Sequence, residues 1–111
     1  MKLAIIGSRG IEDFNIDEYV GEEVNEIVSG GAKGIDALAA DYARQREIYL
    51  KIFLPNYERY GRGAPIKRNY EIVDYADEVL AIWDGRSRGT RSVIDYCNKK
   101  GKKVRVVIKN Q

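Results

Sequence analysis

The sequence has 111 residues and a net charge of +2, with 44% hydrophobic and 32% charged residues. This length predicts one domain over residues 1–111, and the composition is that of a soluble globular chain. No apolar run approaches the roughly 20 residues of a membrane span, and no signal-peptide segment precedes the first predicted strand, so we expect a cytoplasmic protein with no membrane partner.

The first predicted strand covers residues 2–6 and is a short, buried apolar run. It leads into residues 7–10, Gly-Ser-Arg-Gly, which form a polar loop bounded by glycine. A helix is predicted to begin near Ile16, because Asn15 and Glu18 have the spacing of a capping pair.

The second predicted strand, residues 24–28, enters a glycine-rich loop over residues 28–36. The apolar positions in residues 35–43 then recur at helical spacing, which gives the clearest amphipathic pattern in the chain. A third strand is predicted over residues 49–54, and residues 56–64, which show no clear period, are predicted to form a loop.

The next helix is predicted to begin at Pro65, since proline suits the first turn of a helix. A fourth strand over residues 79–83 is followed by a second glycine-rich loop over residues 84–90. The last helix is predicted to end at Gly101, and the last strand to cover residues 104–108.

Strands and helices thus alternate along the whole chain, with five strands and four connecting helices. This order predicts an α/β protein with a parallel sheet and helices on both faces. In such a sheet a ligand crevice lies at the carboxyl ends of the strands, where the strand order reverses. The loops after strands one, two and four all reach that edge and carry glycine together with hydroxyl or basic side chains, which favours an anionic, phosphate-bearing ligand.

The loop over residues 28–36 is the strongest single indication of such a ligand. Gly30, Gly31 and Gly34 allow backbone N–H groups to approach an anion closely, and Lys33 and the following helix N-terminus add positive charge. The alternative is a tight connection between strand and helix that requires glycine only for steric reasons.

Several short motifs together resemble the SLOG superfamily, which unites the SMF/DprA proteins with the Lonely Guy (LOG) cytokinin-activating enzymes. The similar segments, closest to the small YspA-type branch, are residues 5–9 (IIGSR), 29–36 (SGGAKGID), 68–69 (RN) and 89–90 (GT). The resemblance implies a three-layer, Rossmann-like domain that binds a nucleotide or an ADP-ribose-type ligand, as a sensor or processor in bacteria or phages.

The resemblance also implies a set of ligand-binding residues. They are Gly7, Ser8, Arg9, Gly30, Gly31, Ala32, Lys33, Gly34, Asp36, Arg68, Asn69, Gly89 and Thr90.

Four of these residues have structural alternatives. Thr90 could serve as a helix N-cap, Arg68 could form a surface ion pair, and Asn69 could cap the first turn of its helix. Asp36 could be stabilised by the helix dipole, or could accept a ribose hydroxyl.

The chain departs from the LOG pattern where those enzymes carry catalytic glutamates, since the matching positions hold Ser92 and Val93. The sequence also contains no histidine, which excludes a Ser-His-Asp triad, a Cys-His pair and the usual zinc sites, so we expect no metal. Asp36 and Asp84 remain as candidate acids or bases for a LOG-like phosphoribohydrolase. The one cysteine, Cys97, is expected to pack on a helix face.

A DprA-like protein that binds single-stranded DNA is the alternative from another class. Tyr57 and Tyr60, in a predicted open loop, could stack on bases, and basic residues crowd the last quarter of the chain. Loop packing and a solvated surface are the simpler explanations of these two features. By analogy with SLOG relatives, we also expect that the protein can form homo-oligomers.

Overall fold

The sheet of this protein has five parallel strands in the order β3-β2-β1-β4-β5, in a computed structural model that describes residues 1–110. The strands are β1 (Lys2–Gly7), β2 (Glu26–Ser29), β3 (Tyr49–Ile52), β4 (Glu78–Trp83) and β5 (Val104–Ile108). The helices are α1 (Ile35–Gln45), α2 (Tyr57–Tyr60), α3 (Ala64–Tyr75) and α4 (Arg88–Lys100), with 3-10 turns at Ile16–Tyr19 and Gly61–Gly63. The predicted parallel α/β architecture is confirmed.

Two hydrophobic cores lie on opposite faces of the sheet, because successive side chains of a strand point to opposite faces. In β1, Leu3 and Ile5 face the core beneath α1, while Ala4 and Ile6 face the core beneath α3 and α4. A central strand that is buried on both faces has a continuous apolar sequence, and residues 2–6 show this pattern. The sheet is therefore the middle of three layers.

The strand order reverses between β1 and β4, which pair in register from Leu3↔Glu78 to Gly7↔Ile82. A side chain at Gly7 has no room, because a Cβ there would lie 2.3 Å from the Ile82 carbonyl oxygen and 2.7 Å from Ile35 Cγ1. Glycine thus lets the end of β1 contact both β4 and α1. This reversal point is where open parallel sheets bind ligands.

The helix predicted near Ile16 is a single 3-10 turn, so the first connection does not contain a full helix. Asn15 Nδ2 donates to Glu18 Oε1 at 3.2 Å, and its side chain caps no backbone N–H. Residues 12–23 also contain six acidic side chains and no basic one, so no i,i+4 ion pair supports a longer helix.

The loop predicted over residues 56–64 is instead helical, and this prediction was wrong. Asn56 Oδ1 accepts the Arg59 N–H at 3.1 Å and so caps α2, while Gly61, at φ +56°, ends it. The 3-10 turn Gly61–Gly63 then leads directly into α3. The remaining differences are small shifts of strand ends: β2 begins at Glu26 and β3 ends at Ile52.

Within residues 1–110, every helix is too short or too polar to cross a bilayer.

Candidate functional site

A cleft of about 380 Å³ opens at the carboxyl ends of β1 and β4, at the reversal of strand order. Its walls come from the loop after β1, the start of α1, the first turns of α3, and the β4–α4 connection with the first turns of α4. The residues that line it are Ile6, Gly7, Arg9, Gly10, Ala32, Asp36, Pro65, Ile66, Arg68, Asn69, Asp84, Ser87, Gly89, Thr90 and Val93. Since these segments are far apart in the sequence, the parallel topology is what brings them together.

The N-terminus of α4 forms one wall of the cleft. Ser87 caps this helix, because its Oγ accepts the Thr90 N–H at 3.4 Å, and the Ser87 and Thr90 hydroxyls lie 3.2 Å apart. Thr90 is therefore not the N-cap, and Gly89 lies inside the helix rather than in the predicted loop. The first N–H groups of a helix have no acceptor within it, so those of Arg88 and Gly89 are available to an anion.

Asp84 organises the connection that leads into α4. Its Oδ1 accepts the N–H groups of Arg86 and Ser87, each at 2.8 Å. These two hydrogen bonds lower the pKa of the Asp84 carboxyl, so it is ionised near neutral pH and is a poor proton donor. Its geometry is that of a turn-forming aspartate.

Ser8 joins the floor of the site to three neighbouring elements. Its N–H donates to the Ile82 carbonyl at 3.0 Å, and its hydroxyl accepts the Asp84 N–H at 3.1 Å. Its carbonyl accepts the Ile35 N–H at 3.4 Å. Because the side chain is buried and does not line the cleft, Ser8 fixes the loop from beneath.

Arg68 and Asp36 enclose Gly30 from two sides, and each is only 6% exposed. Arg68 Nη1 donates to the Gly30 carbonyl, and also to the Phe53 carbonyl at 3.3 Å. A Cβ at Gly30 would lie 2.7 Å from Asp36 Oδ2 and 3.0 Å from Arg68 Cζ, so only glycine allows both side chains to approach. Arg68 thereby connects the ends of β2 and β3, and it is not a surface ion-pair residue.

Burial dominates the electrostatics of these two residues. It raises the pKa of the Asp36 carboxyl, while the Ala32 N–H and the guanidinium groups of Arg68 and Arg9 oppose this shift. Burial also lowers the pKa of the Arg68 guanidinium, against the effect of Asp36. Loss of water therefore outweighs the attraction between the two groups.

The side chains of Asp36 and Asn69 each keep a polar group for a ligand. Asp36 Oδ2 accepts the Ala32 N–H at 3.2 Å, and Asn69 Oδ1 accepts from Arg68 Nε at 2.8 Å. Asp36 Oδ1 and the Asn69 amide NH₂ have no hydrogen-bond partner within residues 1–110. Asn69 is thus held by Arg68 and does not cap its helix.

The other glycines of the 28–36 loop, Gly31 and Gly34, have steric roles and do not line the cleft. At Gly34, with φ +76°, a Cβ would lie 2.4 Å from the Arg9 carbonyl oxygen and 2.6 Å from that of Ser8. At Gly31, with φ +73°, a Cβ would meet Ile52 and Leu54 at 3.1 Å. Steric constraints of a tight connection between strand and helix thus explain Gly31 and Gly34, and contact of these two glycines with phosphate stays a prediction.

The predicted ligand-binding residues accordingly separate into two groups. Those that line the cleft are Gly7, Arg9, Ala32, Asp36, Arg68, Asn69, Gly89 and Thr90. Those that do not are Ser8, Gly30, Gly31, Lys33 and Gly34. Sequence reasoning did not identify Ser87, Pro65 or Ile66 as part of the site, although Ser87 has the residue type and position of an N-cap.

At the positions of the LOG glutamates, Val93 is buried against the cleft and Ser92 lies in a separate groove between α3 and α4. Two carboxylates line the cleft, Asp36 and Asp84, and of these Asp36 has the raised pKa. Among the described residues 1–110, no three Asp, Glu or Cys side chains are grouped so that they could hold a metal ion.

The basic C-terminal quarter of the chain is divided between the two faces of the sheet. Arg88, Arg91 and Lys99 line the groove between α3 and α4. Arg105, in contrast, lies 4.8 Å from the ring centre of Tyr19, on the α1 face. The quarter therefore does not form one continuous basic surface.

The two tyrosines expected in an open loop belong to α2 and differ in exposure. Tyr57 is 58% exposed, whereas Tyr60 is half-buried, with Lys67 Nζ 5.7 Å from its ring centre.

A comparison with protein families matches residues 1–60, more than half of the chain, to the YspA, cpYpsA-related SLOG family (YAcAr). No curated protein and no solved structure matches the chain. The matched segment contains β1, β2, α1 and β3, with the loop that supplies Arg9 and the helix start that supplies Asp36 to the cleft, and it confirms the resemblance inferred from the motifs. This chain belongs to the YspA, cpYpsA-related SLOG family.

Proposed function

We propose that this protein binds a nucleotide, or a phosphorylated ligand derived from one, in the cleft between β1 and β4. One observation supports the proposal: the α4 N-terminus and two arginines, Arg9 and Arg68, line the same cleft. The phosphate lies against the free N–H groups at Arg88 and Gly89, where the helix dipole favours negative charge. Arg9 supplies an exposed charge to the cleft.

The size of the cleft favours a small ligand. Its volume of about 380 Å³ lies near the lower end of the roughly 300–1,000 Å³ that ligand pockets span. We therefore expect a mononucleotide to fit better than a dinucleotide such as NAD. Asp36 Oδ1 and the Asn69 amide are available to hydrogen-bond the ribose.

Isothermal titration calorimetry with nucleoside mono- and diphosphates, ADP-ribose and NAD tests this proposal. Arg9→Gln is expected to weaken binding about 10- to 150-fold, since a hydrogen bond to a charged group contributes about 1.5–3 kcal/mol. Arg86→Gln is the matched control, because Arg86 is exposed nearby but does not line the cleft.

A second pair of variants probes the helix N-terminus. A Cβ at Gly89 or at Gly63 would meet no atom within 4 Å, so alanine fits at both positions. Gly89→Ala adds a methyl group to a residue that lines the cleft and should weaken binding, whereas Gly63→Ala should not. If no nucleotide binds, or if both alanine variants bind like the wild type, the proposal is wrong.

A second candidate function is slow hydrolysis of the bound nucleotide, as in the LOG enzymes. Asp36 supports it, because burial raises the pKa of this cleft carboxyl and so makes it easier to protonate than an exposed aspartate. Incubation with each nucleotide that binds, followed by detection of free base, is the test. Product formation by the wild type that Asp36→Asn abolishes would support hydrolysis, and no product from any ligand would exclude it.

The third candidate is single-stranded DNA binding in the groove of about 420 Å³ between α3 and α4. Arg88, Arg91 and Lys99 line this groove beside Tyr70 and Tyr96, whose rings stack with centres 4.2 Å apart. Real phosphate contacts make affinity fall steeply as salt rises. Binding that is absent, or that does not change with salt, would exclude this function.

A further inference from the structure

Three large apolar side chains near the cleft are unusually exposed. Leu54 is 72% exposed, Tyr57 58% and Ile66 46%. They are half of the six large apolar residues that are exposed within residues 1–110. Burial of such side chains is favourable, so a group of them beside a polar cleft indicates a contact that the protein alone does not make.

One of the three residues lines the cleft, and the other two lie beside segments that form it: Leu54 lies against Gly31, next to Ala32 of the cleft. Ile66 lines the cleft directly, next to Pro65. Leu54 follows Phe53, whose carbonyl accepts a hydrogen bond from Arg68 at 3.3 Å. Tyr57 begins α2, which packs against α3, the helix that carries Ile66 and Arg68. We call Leu54, Tyr57, Pro65 and Ile66 the apolar shelf.

The two ends of the site therefore differ in chemistry. The α4 end offers backbone N–H groups and hydroxyls at Ser87, Gly89 and Thr90. The shelf offers aliphatic surface and one aromatic ring. A ligand that matches both ends has an anionic group at one end and a flat, weakly polar group at the other.

We propose that the apolar shelf binds the base of the nucleotide while the phosphate lies at the α4 N-terminus. This inference rests on the proposed function, and it adds the orientation and the specificity of the ligand. Leu54, Pro65 and Ile66 have no polar side-chain atoms and Tyr57 contributes a single hydroxyl, so the shelf recognises a base chiefly by its area. Purine nucleotides should consequently bind better than pyrimidine nucleotides, with little difference between adenine and guanine.

Calorimetry with AMP, GMP, CMP and ribose 5-phosphate tests the shelf. Ribose 5-phosphate keeps the sugar and phosphate but lacks the base. AMP is expected to bind about 5- to 150-fold more tightly than ribose 5-phosphate, the range that corresponds to one stacked base. Ile66→Ala and Tyr57→Ala should reduce this ratio, chiefly by weakening AMP binding.

Ile108→Ala is the matched control, because Ile108 is 55% exposed on β5 and does not line the cleft. Its AMP affinity should equal that of the wild type. If AMP and ribose 5-phosphate bind equally, the shelf does not hold the base, although the phosphate site stands. If the shelf variants leave the ratio unchanged, this inference is also overturned. If neither AMP nor ribose 5-phosphate nor any other nucleotide binds, both this inference and the proposed function are wrong.

Discussion

Substitution of Gly34 by alanine separates the steric role of the glycine-rich loop from a role in ligand binding. At this position φ is +76° and ψ is −130°, a conformation that residues with a side chain rarely adopt. The new Cβ would also lie 2.4–2.6 Å from atoms of the Arg9 and Ser8 backbone, which cannot yield as a flexible side chain could.

The expected loss of stability follows from these two effects. Backbone strain of this kind costs about 1–3 kcal/mol, and overpacking adds about 1–3 kcal/mol, so Gly34→Ala should lose about 2–6 kcal/mol. At about 4 °C for each kcal/mol in a domain near this size, the melting temperature should fall by about 8–24 °C. Urea unfolding followed by circular dichroism measures the free energy, and a thermal scan measures the temperature.

Gly89→Ala is the contrasting variant, because both glycines were predicted to bind phosphate. The Gly89 position is helical and open, so alanine should leave stability unchanged or raise it by up to about 1 kcal/mol. A Gly34→Ala protein that melts within about 2 °C of the wild type would refute the packing account of the loop.

Three further predictions concern buried groups. Because burial raises the pKa of Asp36 above its ordinary value of 3.8, the folded state binds that proton more tightly than the unfolded chain does. Stability therefore falls as the pH rises from 3.8 towards the higher pKa of the folded state. Asp36→Asn should therefore gain stability relative to the wild type as the pH rises above 3.8 in urea titrations, and a difference that does not change with pH would contradict this reasoning. Arg68→Met leaves the buried Gly30 carbonyl and the partly buried Phe53 carbonyl without their donor and should lose about 2–5 kcal/mol in the same assay, whereas a loss below about 1 kcal/mol would contradict the bridging role. Burial raises the pKa of Cys97 to about 11, so Ellman's reagent should label the thiol only on unfolding, and rapid labelling of the folded protein would contradict its position in the core.

The inner strands β1, β2 and β4 were predictable because they are largely buried, so their apolar runs are visible without tertiary information. The predicted boundaries of β5, residues 104–108, agree with the structure, and the predicted stop of α4 at Gly101 lies in the left-handed conformation at φ +71°. The short α2 escaped prediction because a one-turn helix is too short to show a period, and its only local signal is the Asn56 cap.

The meeting of loops at one edge was also predictable, since it follows from parallel topology. What each residue does there was not, because a sequence does not show which atoms approach a glycine. Gly34 and Gly89 looked equivalent, yet one packs against backbone and the other faces open space. The burial of Arg68 likewise depends on Gly30 and Phe53, residues 38 and 15 positions away in the sequence.

The most direct test of nucleotide binding in this cleft is a titration of the ¹⁵N-labelled protein with AMP, followed by two-dimensional NMR. The account predicts that the amide signals of Arg88, Gly89 and Thr90 shift most and saturate together with that of Arg9. Shifts confined to other surfaces, such as the groove between α3 and α4, or no shift with AMP or any other nucleotide, would contradict it.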